Sequence, residues 1–204
     1  MLKLKVCGMR NSENIIALSK IKPEFIGFIF HEKSSRNISN NLIQSTPDTI
    51  IRVGVFVDEN INFILDKIKL HNLNCIQLHG NESTEFCAEV KKLGIDVIKA
   101  FNISEQFNFS ALKNYEETCN YFLFDAAGKN AGGNGIVFNW DLISNYTGRT
   151  PFLLSGGIDE TMTKTIKELK HPLLVGVDIN SGFETKPAVK NITAIKKFSD
   201  SIKN

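Results

Sequence analysis

The 204-residue sequence is poor in the features that mark specialised environments. It has four cysteines, Cys7, Cys75, Cys87 and Cys119, all far apart, with no Cys-x-x-Cys pair and no Cys/His cluster. Neither a zinc site nor a disulfide framework is indicated. No uninterrupted apolar run approaches the ~20 residues of a membrane span. The N-terminus lacks the long apolar segment of a signal peptide, which also removes lipid attachment as a reading of Cys7. Twenty-four lysines and arginines against 22 aspartates and glutamates leave a formal charge of +2, scattered along the chain. There is no electrostatic case for nucleic acid or a membrane surface. A cytoplasmic compartment is expected, where these thiols stay reduced.

What the chain does have is length for one domain with a real core, expected over residues 1–204, and an ordinary globular composition with 42% apolar residues. Eight short apolar runs recur: "LKVCG", "FIGFIF", "IRVGVFV", "CIQLHG", "DVIKAF", "YFLFDA", "PFLLSGG" and "LLVGVDI". Most are near-continuous rather than alternating, as in strands buried on both faces of a parallel sheet. Helical patterns lie between them. After Asn60, Ile61, Ile64, Leu65 and Ile68 fall on one face. "NESTEFCAEVKKLG" begins with capping candidates and ends on Gly94, and "DETMTKTIKELK" runs from acidic to basic. From Pro187 onward, Val189, Ile192, Ile195 and Phe198 form a last stripe. Eight strands alternating with eight helical segments, in units of roughly 25 residues, predict a single-domain eightfold β/α (TIM) barrel of the α/β class. A doubly wound open sheet is the competing fold, but "CGMRNSEN" after the first strand is not its glycine fingerprint.

In such a barrel, chemistry sits just after the strands. That filter selects Cys7 and Gly8 after the first run, Arg36 after the second, and Gln77 and His79 at the fourth. It adds Asp125 and a glycine cluster at the sixth, "SGG" after the seventh and "NSGFE" after the eighth. Glycine- and serine-rich turns let backbone N–H groups converge on an anion, and barrels often hold phosphate after strands seven and eight. Taken singly, the other residues keep a plain structural alternative. Arg36 fits a solvated loop arginine as well as a fork for a carboxylate. Asp125 fits an N-cap as well as an acid or base. Cys7 fits buried filler as well as a reactive thiol.

Taken together, "KVCG", the arginine of "SSRNIS", "VGVFV", "IQLHG", the aspartate followed by "GGNG" and "FNW", "SGGI" and "DINSGFE" resemble the phosphoribosylanthranilate isomerase family of tryptophan biosynthesis. The likeness runs over nearly the whole chain, with the motifs in order. It implies an Amadori rearrangement with Cys7 as general base, Asp125 as general acid and Arg36 on the anthranilate carboxylate. Gly156, Gly157, Ser181 and Gly182 would bind phosphate. It further implies a small phosphorylated substrate, no metal or organic cofactor, and a monomer or homodimer. Asp125 would have to be protonated when it acts, and the site would have to favour the Cys7 thiolate. Three positions depart from the family pattern: Asn134 where threonine is frequent, Asn139 where aspartate is common, and Phe183 in place of a smaller aliphatic.

Overall fold

A computed structural model describes residues 1–38, 42–43, 46–126 and 140–203. Most of the glycine cluster after Asp125, including Asn134, and also Asn139 lie outside them. Each of the eight apolar runs forms a strand: β1 (Lys3–Val6), β2 (Phe25–Ile29), β3 (Ile51–Phe56), β4 (Cys75–Leu78), β5 (Asp96–Ile103), β6 (Tyr121–Ala126), β7 (Phe152–Ser155) and β8 (Leu174–Ile179). They close in sequence order into a parallel barrel, with β1 paired to β2 on one side and β8 on the other. The open-sheet alternative is thereby excluded.

Alternation along each strand separates two cores. Leu4, Val6, Ile26, Phe28, Ile76 and Phe122 join the outer layer beneath the helices. Phe25, Val53, Cys75, Ile98, Ala100, Leu123 and Leu153 fill the barrel lumen. Being covered on both faces is why these strands read as continuous apolar runs.

Five α-helices lie among the described residues: α1 (Ser12–Ser19), α2 (Ile61–His71), α3 (Thr84–Lys91), α4 (Thr163–Glu168) and α5 (Ile192–Lys203). Asn11, Asn60 and Ser83 cap α1, α2 and α3, each side chain accepting a backbone N–H three residues on. The expected eight regular helical segments are therefore corrected. After β5 and β6 the described chain forms 3-10 segments, Phe109–Tyr115 and Trp140–Asn145. Aromatic packing covers this side of the barrel instead of a helical stripe. Phe101, Phe107, Phe109, Phe122, Phe124 and Tyr146 meet mainly edge to face, at centroid distances of 5.0–6.2 Å.

The last stripe is also shorter than expected. Val189 belongs to a two-stranded hairpin, β9 (Glu184–Lys186) and β10 (Val189–Lys190), turned by Pro187 and by Ala188 at φ 64°. Proline has no N–H to continue a helix. The helix starts only after Asn191, whose side chain accepts from Ala194 N at 3.1 Å. It buries Ile195, Phe198 and Ile202, each contributing about 1.5–3 kcal/mol. Phe183 is buried against Phe198 with centroids 4.9 Å apart, so this departure from the family pattern is packed into the outer core.

Candidate active site

The strand ends of this barrel carry an almost continuous chain of polar side chains. Cys7 stands one residue past β1, its N–H donating to Ile179 O of β8 at 2.9 Å, and it is 4% exposed. Two glycines make room around it. A Cβ at Gly27 of β2 would lie 2.9 Å from Cys7 Sγ and 3.1 Å from its Cα. A Cβ at Gly8 would lie 2.7 Å from Arg36 Cδ and 2.8 Å from Asn180 Oδ1. Gly8 also has φ +74°, a region glycine adopts freely. The glycine after the cysteine thus lets the loop after β2 and the end of β8 close over the thiol.

Arg36 is not a lone loop arginine. Its Nε donates to Glu184 Oε1 at 2.9 Å and Oε2 at 3.1 Å, and its Nη2 donates to Oε2 at 2.6 Å. Glu184 also accepts from Lys190 Nζ at 2.6 Å and from Ala188 N at 3.1 Å. Lys190 Nζ in turn donates to Asn180 Oδ1 at 2.7 Å. Burial pushes the Glu184 carboxyl up, but the bonds from Arg36 and Lys190 outweigh it and hold it below the ordinary glutamate range. One edge of the guanidinium is therefore clamped by the hairpin. The fork keeps a fixed direction, with its Nη1 side turned away from the clamp.

Beneath Cys7, Lys5 is wholly buried, with Nζ 2.9 Å from Asp178 Oδ1 of β8. The two residues are register partners. Burial pushes the Cys7 thiol up. Lys5 and Lys190 pull it back, Asp178 adds to the rise, and the balance stays above the ordinary cysteine value.

Asp178 lies within electrostatic reach of a second group, Asp125 and His79. Asp125 is the penultimate residue of β6, its side chain a quarter exposed, and His79 Nε2 is 3.4 Å from its Oδ2. The Gln77 amide nitrogen is 2.7 Å from His79 Nδ1. As oriented, that amide donates, so Nδ1 is the acceptor and the imidazole proton sits on Nε2, facing Asp125.

The loop carrying His79 is pinned from below by the buried pair of Lys99 Nζ and Glu82 Oε2, 3.2 Å apart. Lys99 also donates to the carbonyls of Gly80 and Ala100, both at 2.8 Å.

The two glycine turns meet. Gly156 and Gly157 after β7 take φ of +97° and +65°. A Cβ at Gly182 would collide with the carbonyl oxygen of Ile158, so the turn after β8 packs directly on the turn after β7. Among the described residues, no backbone carbonyl accepts a turn or loop bond from the N–H of Gly156, Gly157, Ser181 or Gly182. Backbone donors on two adjoining glycine turns suit an anion.

A closed eightfold barrel that gathers a thiol, a carboxylate and a clamped arginine at its strand ends, beside paired glycine turns, belongs to the β/α barrels that carry their chemistry at this end. Residues 4–201 match the family described as N-(5'phosphoribosyl)anthranilate (PRA) isomerase, and the chain belongs to that family. It is 42% identical over 200 residues to the N-(5'-phosphoribosyl)anthranilate isomerase of Phocaeicola vulgatus, covering 98% of this chain and 97% of that one. Among solved structures, it superposes on the Thermotoga maritima phosphoribosyl anthranilate isomerase with a TM-score of 0.85 at 33% identity, over 100% of this chain and 99% of that one. A phosphoribosyl anthranilate isomerase solved with reduced 1-(o-carboxyphenylamino)-1-deoxyribulose 5-phosphate matches with a TM-score of 0.82 at 32% identity, over 100% and 99%.

Sequence reasoning selected Cys7, Asp125, Arg36, Gly156, Gly157, Ser181 and Gly182, and all seven stand at the same end of the barrel. It missed Lys5 and Lys190, and it took in Asn180 and Glu184 only as part of "NSGFE", with no role of their own. Lys5 had a signal: it shares strand parity with Cys7, so a cysteine facing the site places that lysine inside the barrel. Glu184 and Lys190 had none, because a hairpin after β8 is not written in any hydrophobic period.

Proposed function

We infer that this chain catalyses the isomerisation of N-(5'-phosphoribosyl)anthranilate to 1-(o-carboxyphenylamino)-1-deoxyribulose 5-phosphate, the Amadori step of tryptophan biosynthesis. The observation that carries this reading is the convergence of Cys7, Asp125 and Arg36 with both glycine turns on one rim. Asp125 delivers a proton to the furanose ring oxygen as the C1–O bond breaks, and the nitrogen lone pair forms the iminium. The Cys7 thiolate removes the proton from C2. The C–H electron pair forms the C1=C2 bond and neutralises the nitrogen. The enolamine then gains a proton at C1 and loses one from the C2 hydroxyl, giving the ketone. His79 flanks Asp125, its Nε2 3.4 Å from Oδ2. Arg36, fixed by Glu184, offers its other edge to the anthranilate carboxylate, and the N–H groups of Gly156, Gly157, Ser181 and Gly182 take the phosphate. The substrate's own amine supplies the electron sink, so the scheme uses no cofactor. The compartment proposed is the cytoplasm, which suits four free thiols.

The test is turnover of freshly generated phosphoribosylanthranilate by the purified protein, together with growth of a tryptophan-requiring bacterium that lacks this isomerase. Product formation and rescued growth are expected. A folded protein that does neither overturns the reading.

A further inference from the structure

Cys7 is placed where a base is needed, yet its surroundings are buried, and burial disfavours a thiolate. The cations nearby are not equivalent. Lys190 Nζ is committed to Glu184 Oε1 and Asn180 Oδ1, both within 2.7 Å. Arg36 is committed to Glu184 along its Nε edge. Lys5 is different. It is 0% exposed and two residues before Cys7 on the same inward face of the chain. Its neighbours in the lumen include the inert core thiol of Cys75. Its ammonium touches Asp178 Oδ1 at 2.9 Å and also interacts with the Cys7 sulfur. A fully buried ammonium is costly unless opposite charge and acceptors meet it, and Asp178 and a Cys7 thiolate are those groups here.

We propose that Lys5 is a positioning residue of the reaction: its ammonium is the counter-charge that offsets burial and lets Cys7 ionise to the thiolate, and Asp178 sets where that ammonium stands. The proposal rests on the reading of Cys7 as the base. Burial by itself would lower the Lys5 ammonium's proton affinity, but Asp178 and Cys7 together hold it above the ordinary lysine value, so it keeps its charge. When Cys7 takes the substrate proton, the S–H bond forms and the ion pair with Lys5 is released. When that proton later leaves to solvent, the pair re-forms. The charged groups facing this unit are Lys5 on β1, Asp178 on β8, Lys190 on β10 and Arg36 after β2. Asp125 and His79 act on Asp178 from the far side.

The experiment titrates Cys7 in the full chain, using the ultraviolet thiolate absorbance of each protein minus that of its Cys7→Ala counterpart. Lys5→Met is expected to move the midpoint up by about one to three pH units, and Asp178→Asn to move it down. The kcat/KM of Lys5→Met should fall at least tenfold at neutral pH and recover as pH rises, a shift no purely structural role produces. Lys5→Met strands Asp178 in the lumen and can unfold the chain. The double variant Lys5→Met/Asp178→Asn removes both charges at once and should restore the melting temperature while leaving the midpoint high. A midpoint in the folded double variant no higher than that of Asp178→Asn alone overturns the proposal. If Cys7→Ala instead keeps its activity, the base assignment fails independently, and the titration still reports whether Lys5 governs the thiol.

Discussion

Glu184→Gln isolates what the hairpin does for Arg36. The wild-type carboxylate is 5% exposed and neutralises two cations, Arg36, about one fifth exposed, and Lys190, wholly buried. Glutamine keeps one acceptor oxygen but turns an N–H₂ group toward one of the cations. Breaking a buried pair from one side costs about 3–5 kcal/mol, and the partial exposure of Arg36 returns some of that, so about 2–4 kcal/mol is expected. For a chain of this size the melting temperature should fall by roughly 5–15 °C. Calorimetry measures this, and the double variant Glu184→Gln/Lys190→Met should recover part of it, because the stranded lysine is gone. Steady-state kinetics should show KM rising about tenfold or more while kcat changes less, since a loosened fork binds the ring carboxylate poorly in ground and transition states alike. An unchanged melting temperature with an unchanged KM would refute the argument that Glu184 holds Arg36. So would a fall confined to kcat.

Cys7→Ala and Asp125→Asn should each lower turnover by about 100- to 10,000-fold without unfolding the chain, measured with fresh substrate and circular dichroism. Gly27→Ala should push a methyl group into Cys7 Sγ and its backbone, destabilising the barrel by about 1–3 kcal/mol and misplacing the thiol. Turnover should then fall far more than stability, and a variant with normal kcat removes Cys7 from the place assigned to it. Glu184 also makes a pH prediction. Its folded pKa is depressed, so the stability it contributes is present above the unfolded glutamate pKa and is lost as pH falls through the lower, folded value. The stability gap between wild type and Glu184→Gln should therefore close in that acid window, and a gap that widens on acidification contradicts the assignment.

The sequence made the barrel legible because its strands are buried on both faces, which leaves continuous Val/Ile/Phe runs that periodicity can find. Cys7, Asp125 and the glycine turns were legible for a related reason: each stands immediately beyond such a run, and position along the strand stood in for position in space. Arg36 lies seven residues past the end of β2; the strand-end filter singled it out, but its assignment to a carboxylate came with the family motif. What stayed hidden depends on contacts between distant segments. Glu184 meets Arg36 across 148 positions of chain. Lys5 alternates with leucine and valine, a pattern also met in an ordinary half-exposed strand, and only closure of the barrel turns that lysine inward. The helical expectation failed after β5 and β6 because aromatic rings, not a 3.6-residue stripe, cover those strands.

The seam between β1 and β8 has a consequence for the life of the chain before it reaches the folded state. The Cys7 amide donates to Ile179 O, Lys5 meets Asp178, and the Asn14 side chain exchanges two bonds with the Lys190 backbone across 176 positions. A ribosome delivers the first partner of each pair long before the second. Until β8 has emerged, the first strand has one flank unpaired and its lysine without a counter-ion. Catalytic competence therefore arrives only once β8 and the hairpin after it have joined the barrel. The loop closures with the highest entropic cost, and hence the slowest, are the ones that assemble the reacting groups. Truncations just before the hairpin should leave long-lived, sticky intermediates rather than a smaller working enzyme.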